Sequence, residues 1–171
     1  FSRAAGWRMP YNDAAGITNT VIRAVPDGTE PLFLFVNYLD AHSPYNPPPE
    51  ALRLLGLSPT PPFSRYLAHR SLTQRWPRLT ADARQDLVDL SDGSLRWLDI
   101  HLARLLAWID RRLGEDTVVV FTSDHGEELG ENGRVGHEHG LPQEVLHVPL
   151  LVRAPGLAPG GRGEIVTLRG L

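Results

Sequence analysis

Seven histidines stand in this chain, and five of them, His42, His125, His137, His139 and His147, fall in polar, loop-like stretches. Asp124-His125 directly follows the apolar run Thr117-Val118-Val119-Val120-Phe121-Thr122. A carboxylate and an imidazole held together at a strand end can share a divalent cation. Neighbours in an extended strand point to opposite sides, so sharing requires a turn, which Gly126 permits. The structural alternative is that Asp124 caps the next segment and His125 satisfies a backbone carbonyl. Gly136-His137-Glu138-His139-Gly140 puts two more imidazoles on one side if the backbone stays extended. One of these can be a ligand and the other a contact to an anionic substrate; a patch that merely scavenges metal is the alternative. The spacing is not the His-Glu-x-x-His of helical zinc peptidases. Asp40-Ala41-His42 closes a second apolar run, Leu32 to Leu39. If the two runs are neighbouring strands, Asp40 or His42 reaches the crevice that Asp124 faces. His42 is then a candidate general acid for an oxygen leaving group, or a donor to a developing anion. Pro44 and Tyr45 would stiffen and wall its loop; a bare turn capped by Asp40 is the alternative.

Two metal ligands are too few for a stable site. Carboxylate oxygen with imidazole admits Ca²⁺, Mn²⁺ or Zn²⁺, and Ca²⁺ is the leading expectation. The sequence holds no G-x-x-x-x-G-K-S/T, no G-x-G-x-x-G after a strand and no G-x-S-x-G elbow. Ser43 and Ser123 are the serines nearest the histidine clusters, and neither has an evident base, so the chain supplies no nucleophile; one is expected upstream of Phe1. There is no cysteine among the 171 residues, which excludes a disulfide framework, a thiolate metal site and a cysteine nucleophile within them. A net charge of −3 excludes a strongly basic nucleic-acid binder. No apolar run approaches the roughly 20 residues of a spanning helix. Periplasmic, secreted and cytoplasmic locations all stay open, as does the oligomeric state.

The elements that must position these groups alternate between helix and strand. Ile17 to Val25 has a short helix pattern with Ile17, Val21, Ile22 and Val25 on one side, ended by Pro26-Asp27-Gly28. Leu32–Leu39 and Thr117–Thr122 have the length and composition of buried strands, and Val148 to Arg153 is a third candidate. Ile165-Val166-Thr167-Leu168 starts a possible fourth. Residues 44–79 are proline-rich and read as a loop region with a short helix or two, inserted between the first strand and a long helix. That helix starts at the cap Thr80, carries Leu95, Leu98, Leu102, Leu105, Leu106, Ile109 and Leu113 as an apolar stripe, and closes with Arg111, Arg112 and Gly114. Gly93 marks a kink or break in it, and His101 within it is structural or solvent-facing. Helices alternating with buried strands predict an α/β fold with a mainly parallel sheet.

Three blocks together resemble one family. Leu32 through Asp40-Ala41-His42-Ser43-Pro44-Tyr45 resembles the sulfatase block in which a strand runs into His-x-Pro-Tyr or His-x-Pro-Phe. Thr117 to Glu127, with Ser123-Asp124-His125-Gly126, resembles the block that supplies two metal ligands. Gly136-His137-Glu138-His139-Gly140 followed by Val148-Pro149-Leu150 resembles the block that carries a basic substrate contact and returns to the sheet. The resemblance covers about residues 17–168 and is to the sulfatase branch of the alkaline-phosphatase-like superfamily. It implies an α/β/α sandwich around a mainly parallel sheet, incomplete in this chain, so that residues 1–171 form part of a catalytic domain. It implies metal-dependent hydrolysis of sulfate esters by the intact protein, acting on a small-molecule or glycan ester. Carried over, Asp124 and His125 are metal ligands, His125 standing where many sulfatases have Asn. His42 binds the transferred group or protonates the leaving oxygen, and His137 stands where the family has a substrate-binding Lys. His139 is a further substrate contact without a clear match in the metal shell. The family's Asp pair and its Cys or Ser-x-Pro-x-Arg block, source of formylglycine, are expected upstream of residue 1. The chain alone is then expected to be inactive. The Asp-His pair equally resembles phosphodiester and phosphonate monoester hydrolases and phosphoglycol or phosphoethanolamine transferases of the superfamily. A catalytically inactive binding module is the alternative outside enzymes.

Overall fold

The computed structural model describes residues 13–25, 31–58, 80–114, 116–138, 140–161, 163 and 167. The predicted helix end at Pro26-Asp27-Gly28, His69, His139 and nearly all of the strand candidate at 165–168 lie outside these.

The helices form where local signals ask for them. Helix α1 is Ala14–Ala24, three residues longer at its start than the apolar pattern, because the carboxylate of Asp13 accepts from Gly16 N–H at 2.9 Å as an N-cap. Proline opens α2, Pro49–Leu54, where its missing N–H costs nothing. Helix α3, Ala81–Arg112, is capped by Thr80, whose Oγ1 accepts from Ala83 N–H at 3.2 Å. It ends as expected, with Arg111 and Arg112 in the last turn and Gly114 at positive φ.

Helix α3 is the spine, about 48 Å long. Both α1 and α2 pack against it. Gly93 lies inside the continuous helix instead of breaking it. A Cβ at that position would come within 2.6 Å of Leu52 Cδ2 and 2.9 Å of Pro47 Cγ, so glycine is what lets α2 approach. The buried stripe accordingly runs through Leu90, Ser91, Gly93, Ser94, Leu98 and His101, and Leu95, assigned to the stripe by spacing, is exposed. On the α1 side Thr18 is fully buried, with Oγ1 2.8 Å from Tyr38 Oη and donating to the His101 carbonyl.

The sheet differs from expectation. In place of a large parallel sheet, the described residues hold four helices and two small antiparallel sheets. One pairs β1, Val119–Thr122, with β4, Leu150–Arg153, in the register Val120 to Val152 and Thr122 to Leu150. The other is the hairpin of β2, Glu128–Leu129, and β3, Val135–Gly136. The physical reason lies in the connection. A parallel return needs a crossover back to the start of β1. Residues 123–149 instead fold locally at the far end of β1, through the hairpin and the short helix α4, Gln143–Leu146, so β4 re-enters where β1 left off. Leu32–Leu39 pairs with no strand among the described residues, and Phe33 and Phe35 are 91% and 80% exposed, not buried. Continuous apolarity signals a demand for neighbours, but does not name them.

The core that bears on the site packs Leu87 and Leu90 of α3 against Tyr45, Val135 and Leu129. It joins the spine, the hairpin and the loop after His42. Arg84 of α3 fastens the hairpin further, donating from Nε to the Leu129 carbonyl at 3.1 Å and from Nη2 to Glu131 at 2.7 Å.

Candidate active site

Three loops meet beside that core. The first follows Leu39. His42 N–H closes a turn on the Leu39 carbonyl at 3.1 Å, and the Ser43-Pro44 peptide is cis. Asp40 turns away from the meeting point. Its Oδ1 accepts from Ala14 N–H at 3.0 Å, at the first turn of α1. Burial raises its pKa above the ordinary carboxylate value.

The second loop follows β1. Asp124 Oδ1 accepts from His125 N–H at 3.1 Å, and Ser123 Oγ donates to the His125 carbonyl at 2.7 Å, which employs that serine in the turn. Gly126 N–H then donates to the Val145 carbonyl at 2.8 Å. A Cβ on residue 126 would stand 2.1 Å from the Glu144 carbonyl oxygen, so only glycine passes α4 this closely.

The third loop leaves the hairpin. Glu131 accepts from Leu129 N–H and Arg84; burial alone would raise its pKa, but hydrogen bonds from its own backbone N–H, from Leu129 N–H and from Arg84 bring it below the ordinary value. Gly136, at φ +87°, redirects the chain into His137.

The loops bring His42, His125 and His137 together, with one ring nitrogen of each within 4.8 Å of the others. Ring centroids are 4.1 Å apart for His125 and His137, 5.1 Å for His42 and His137, and 5.8 Å for His42 and His125. Each Nδ1 faces an oxygen. His42 Nδ1 lies 2.5 Å from the Ser43 carbonyl, His125 Nδ1 2.9 Å from the Gly126 carbonyl, and His137 Nδ1 3.4 Å from Glu127 Oε1. An oxygen at Nδ1 favours the Nδ1–H tautomer and leaves Nε2 as the free donor, the arrangement found behind metal-bound imidazoles. Three nitrogen donors at this separation fit a divalent cation, and they suit Zn²⁺ or Mn²⁺ better than Ca²⁺, which takes oxygen. The leading expectation of Ca²⁺ is revised on that ground. Asp124 stands outside the trio, its side chain 88% exposed, with Oδ2 3.9 Å from His125 Nε2. His147 is exposed at the end of α4, and His101 is buried in α3 as a structural residue.

Glu127 is the residue that sequence reading missed. Its side chain is 7% exposed, and it takes four neighbours from two loops. Oε1 accepts from Ser43 N–H at 3.1 Å and lies 3.8 Å from His42 Nδ1 as well as 3.4 Å from His137 Nδ1. Oε2 accepts from the Tyr45 hydroxyl. Burial, and then the charge of Glu127, push the Tyr45 pKa far above its ordinary value, so the phenol stays a donor. The available signal was the Ser43-Pro44-Tyr45 turn, whose N–H and O–H need an acceptor once Tyr45 is buried.

The sulfatase family model matches residues 12–166. Human iduronate 2-sulfatase is 27% identical over 159 residues, covering 80% of this chain and 29% of its own length. The choline-sulfatase of Rhizobium meliloti (strain 1021) is 35% identical over 69 residues, 40% of this chain and 13% of that one. The multifunctional alkaline phosphatase superfamily protein PehA of Trinickia caryophylli is 35% identical over 65 residues, 37% of this chain and 12% of that one. The chain thus spans less than a third of the length of these relatives. No solved structure matches it significantly. With three histidines gathered at the ends of its matched blocks and a family match over nearly its whole length, the chain belongs to the sulfatase family.

Proposed function

We propose that the intact protein is a metal-dependent hydrolase of sulfate esters. The observation that carries this is the group of three imidazoles, each with Nδ1 against an oxygen and one ring nitrogen of each within 4.8 Å of the others. Of the three imidazoles, His125 would keep the divalent cation when an ester is bound, together with Asp124, whose Oδ2 lies 3.9 Å from His125 Nε2, and His42 and His137 would turn to the transferred group. When bound, that cation supplies Lewis acidity toward the oxygens of the transferred group. His42 protonates the departing oxygen: as an imidazolium it keeps one proton on the Ser43 carbonyl and has Nε2–H for the leaving group, with Glu127 nearby to balance the charge. His137 faces the transferred group from the opposite loop. His139, whose placement lies outside the described residues, is a further substrate contact. The nucleophile, a formylglycine in this reading, comes from outside these 171 residues. Iduronate 2-sulfatase and choline-sulfatase carry sulfate-ester chemistry in their names, which supports the ester class but selects no leaving group.

A phosphodiester or phosphonate monoester substrate is the second reading, favoured by the Asp124-His125 pair. One assay separates them. The full-length protein is given paired aryl sulfate and aryl phosphodiester substrates, with and without chelator. Chelator-sensitive sulfate release is expected. Preference for the diester moves the assignment to phosphoryl chemistry, and no turnover of either leaves a binding module. Asp124→Ala is expected to lower both bound metal and turnover. Full metal occupancy in that variant, by elemental analysis, would remove Asp124 from the ligand set.

A further inference from the structure

Each imidazole of the trio has an oxygen at Nδ1, but the oxygens differ in kind. For His42 and His125 they are backbone carbonyls of the next residue, fixed by local chain geometry. For His137 the acceptor is a side chain ten positions earlier, the carboxylate of Glu127. His137 Nδ1 is buried and has no hydrogen-bond partner within ordinary geometry; Glu127 Oε1 at 3.4 Å is its ion-pair neighbour. The same carboxylate is fixed from the other side by Ser43 N–H and the Tyr45 hydroxyl, and Tyr45 belongs to the core beneath.

We propose that Glu127 is a positioning residue that holds the Nδ1 proton of His137 and so presents Nε2 of that ring to the centre. The argument is one of alternatives. Were the ring to carry its proton on Nε2, a bare lone pair on Nδ1 would face a carboxylate in a buried site, an unfavourable pairing of two acceptors. With the proton on Nδ1 the contact becomes a charge-assisted hydrogen bond. The ring keeps this proton in both its neutral and cationic forms, so Nε2 is the atom offered to a cation or to the transferred group. Because Glu127 also binds the loop after His42, it sets the positions of His42 and His137 together. The role rests on the hydrolase reading above, but the tautomer can be read without it.

The test is nitrogen-15 NMR of histidine-labelled, chelator-treated full-length protein, with the His137 resonances assigned by substitution. The wild-type protein is expected to show neutral His137 protonated on Nδ1. Glu127→Ala is expected to move that proton to Nε2, and Tyr45→Phe, which removes a tether and leaves the acceptor, to keep it on Nδ1. Turnover of the aryl sulfate by Glu127→Ala is expected to fall about 10- to 100-fold. An Nε2–H ring in the wild type overturns the proposal without any variant. So does a Glu127→Ala protein that retains the Nδ1–H ring. If Glu127→Ala does not fold, Glu127→Gln decides: the Nδ1 proton resonance moves upfield as an amide replaces the carboxylate, and an unmoved resonance overturns the role. A protein that cleaves neither ester defeats the hydrolase reading and leaves the tautomer result standing.

Discussion

The imidazoles of this chain occupy two opposed settings. In the trio every Nδ1 faces an oxygen. At His101 the ring nitrogen Nδ1 faces the Arg104 guanidinium, with Nη1 at 3.1 Å, so the arginine donates and the ring accepts. Trp97 packs edge-on against the same ring at 4.3 Å. Burial first, and then the Arg104 charge, hold the His101 pKa below its ordinary 6.5. The folded protein therefore binds fewer protons here than the unfolded chain does. Stability from the neutral ring is fully present above 6.5 and is lost as pH falls through the lower folded value. Urea unfolding of the full-length protein is expected to show a larger loss of stability between about pH 8 and about pH 5.5 in the wild type than in His101→Gln. Equal losses in both would remove His101 as the cause. Residue type and position brought His42, His125 and His137 forward as candidates, His42 and His125 as imidazoles just after apolar runs and His137 as one of two imidazoles between glycines, and the fold gathers these three. Type and position were not enough for Glu127. A glutamate beside a glycine is ordinary in sequence, and its role is created only by Ser43, Tyr45 and His137 arriving from elsewhere.

At the scale of elements, α3 decides what the others can do, and Gly93 is where that is most exposed to test. Alanine in a helix interior is favoured over glycine by about 1 kcal/mol. Here its Cβ would press on Leu52 Cδ2 at 2.6 Å and on the Pro47 ring at 2.9 Å. Leu52 is 1% exposed and has no free direction in which to turn, and a proline ring yields little. Overpacking of that kind costs about 1–3 kcal/mol, so the steric term wins. Gly93→Ala is expected to lower the stability of the full-length protein in urea; a gain would mean that α2 moves away freely. The same site explains which parts of the helix could be read in advance. Thr80, Asp82, Arg111, Arg112 and Gly114 act through contacts within one turn, and sequence spacing reports them directly. The face that α3 buries depends on which helix lies across it. Two serines, a glycine and a histidine make up much of that face, and no hydropathy pattern marks them.

The whole molecule carries the largest departure from the sequence reading. Antiparallel partners point to one face, so Val120 with Val152, and Thr122 with Leu150, form a single side of the β1–β4 ribbon. Val120, Leu150 and Val152 are all exposed there, as are Val118 just before β1 and Leu151 on the other side. Phe33 and Phe35 add two exposed aromatic rings on a segment that pairs with no strand among the described residues. These are the residues read as buried strands, and they are exposed. What sequence did not contain is the neighbour that would cover them, because the partner of a strand is a matter of topology rather than of composition. An open apolar face beside an unpaired strand edge is a template for association. A polypeptide of these 171 residues produced alone is therefore expected to self-associate and to bind a hydrophobic dye, measured by sedimentation velocity and dye fluorescence. Charge on the exposed face, in the double variant V120K/V152K, is expected to reduce both signals while leaving the helical circular dichroism of α3 in place. A monomeric, dye-silent chain would show that the face is covered after all, and that the ribbon has found within these 171 residues the neighbours it lacks among the described ones.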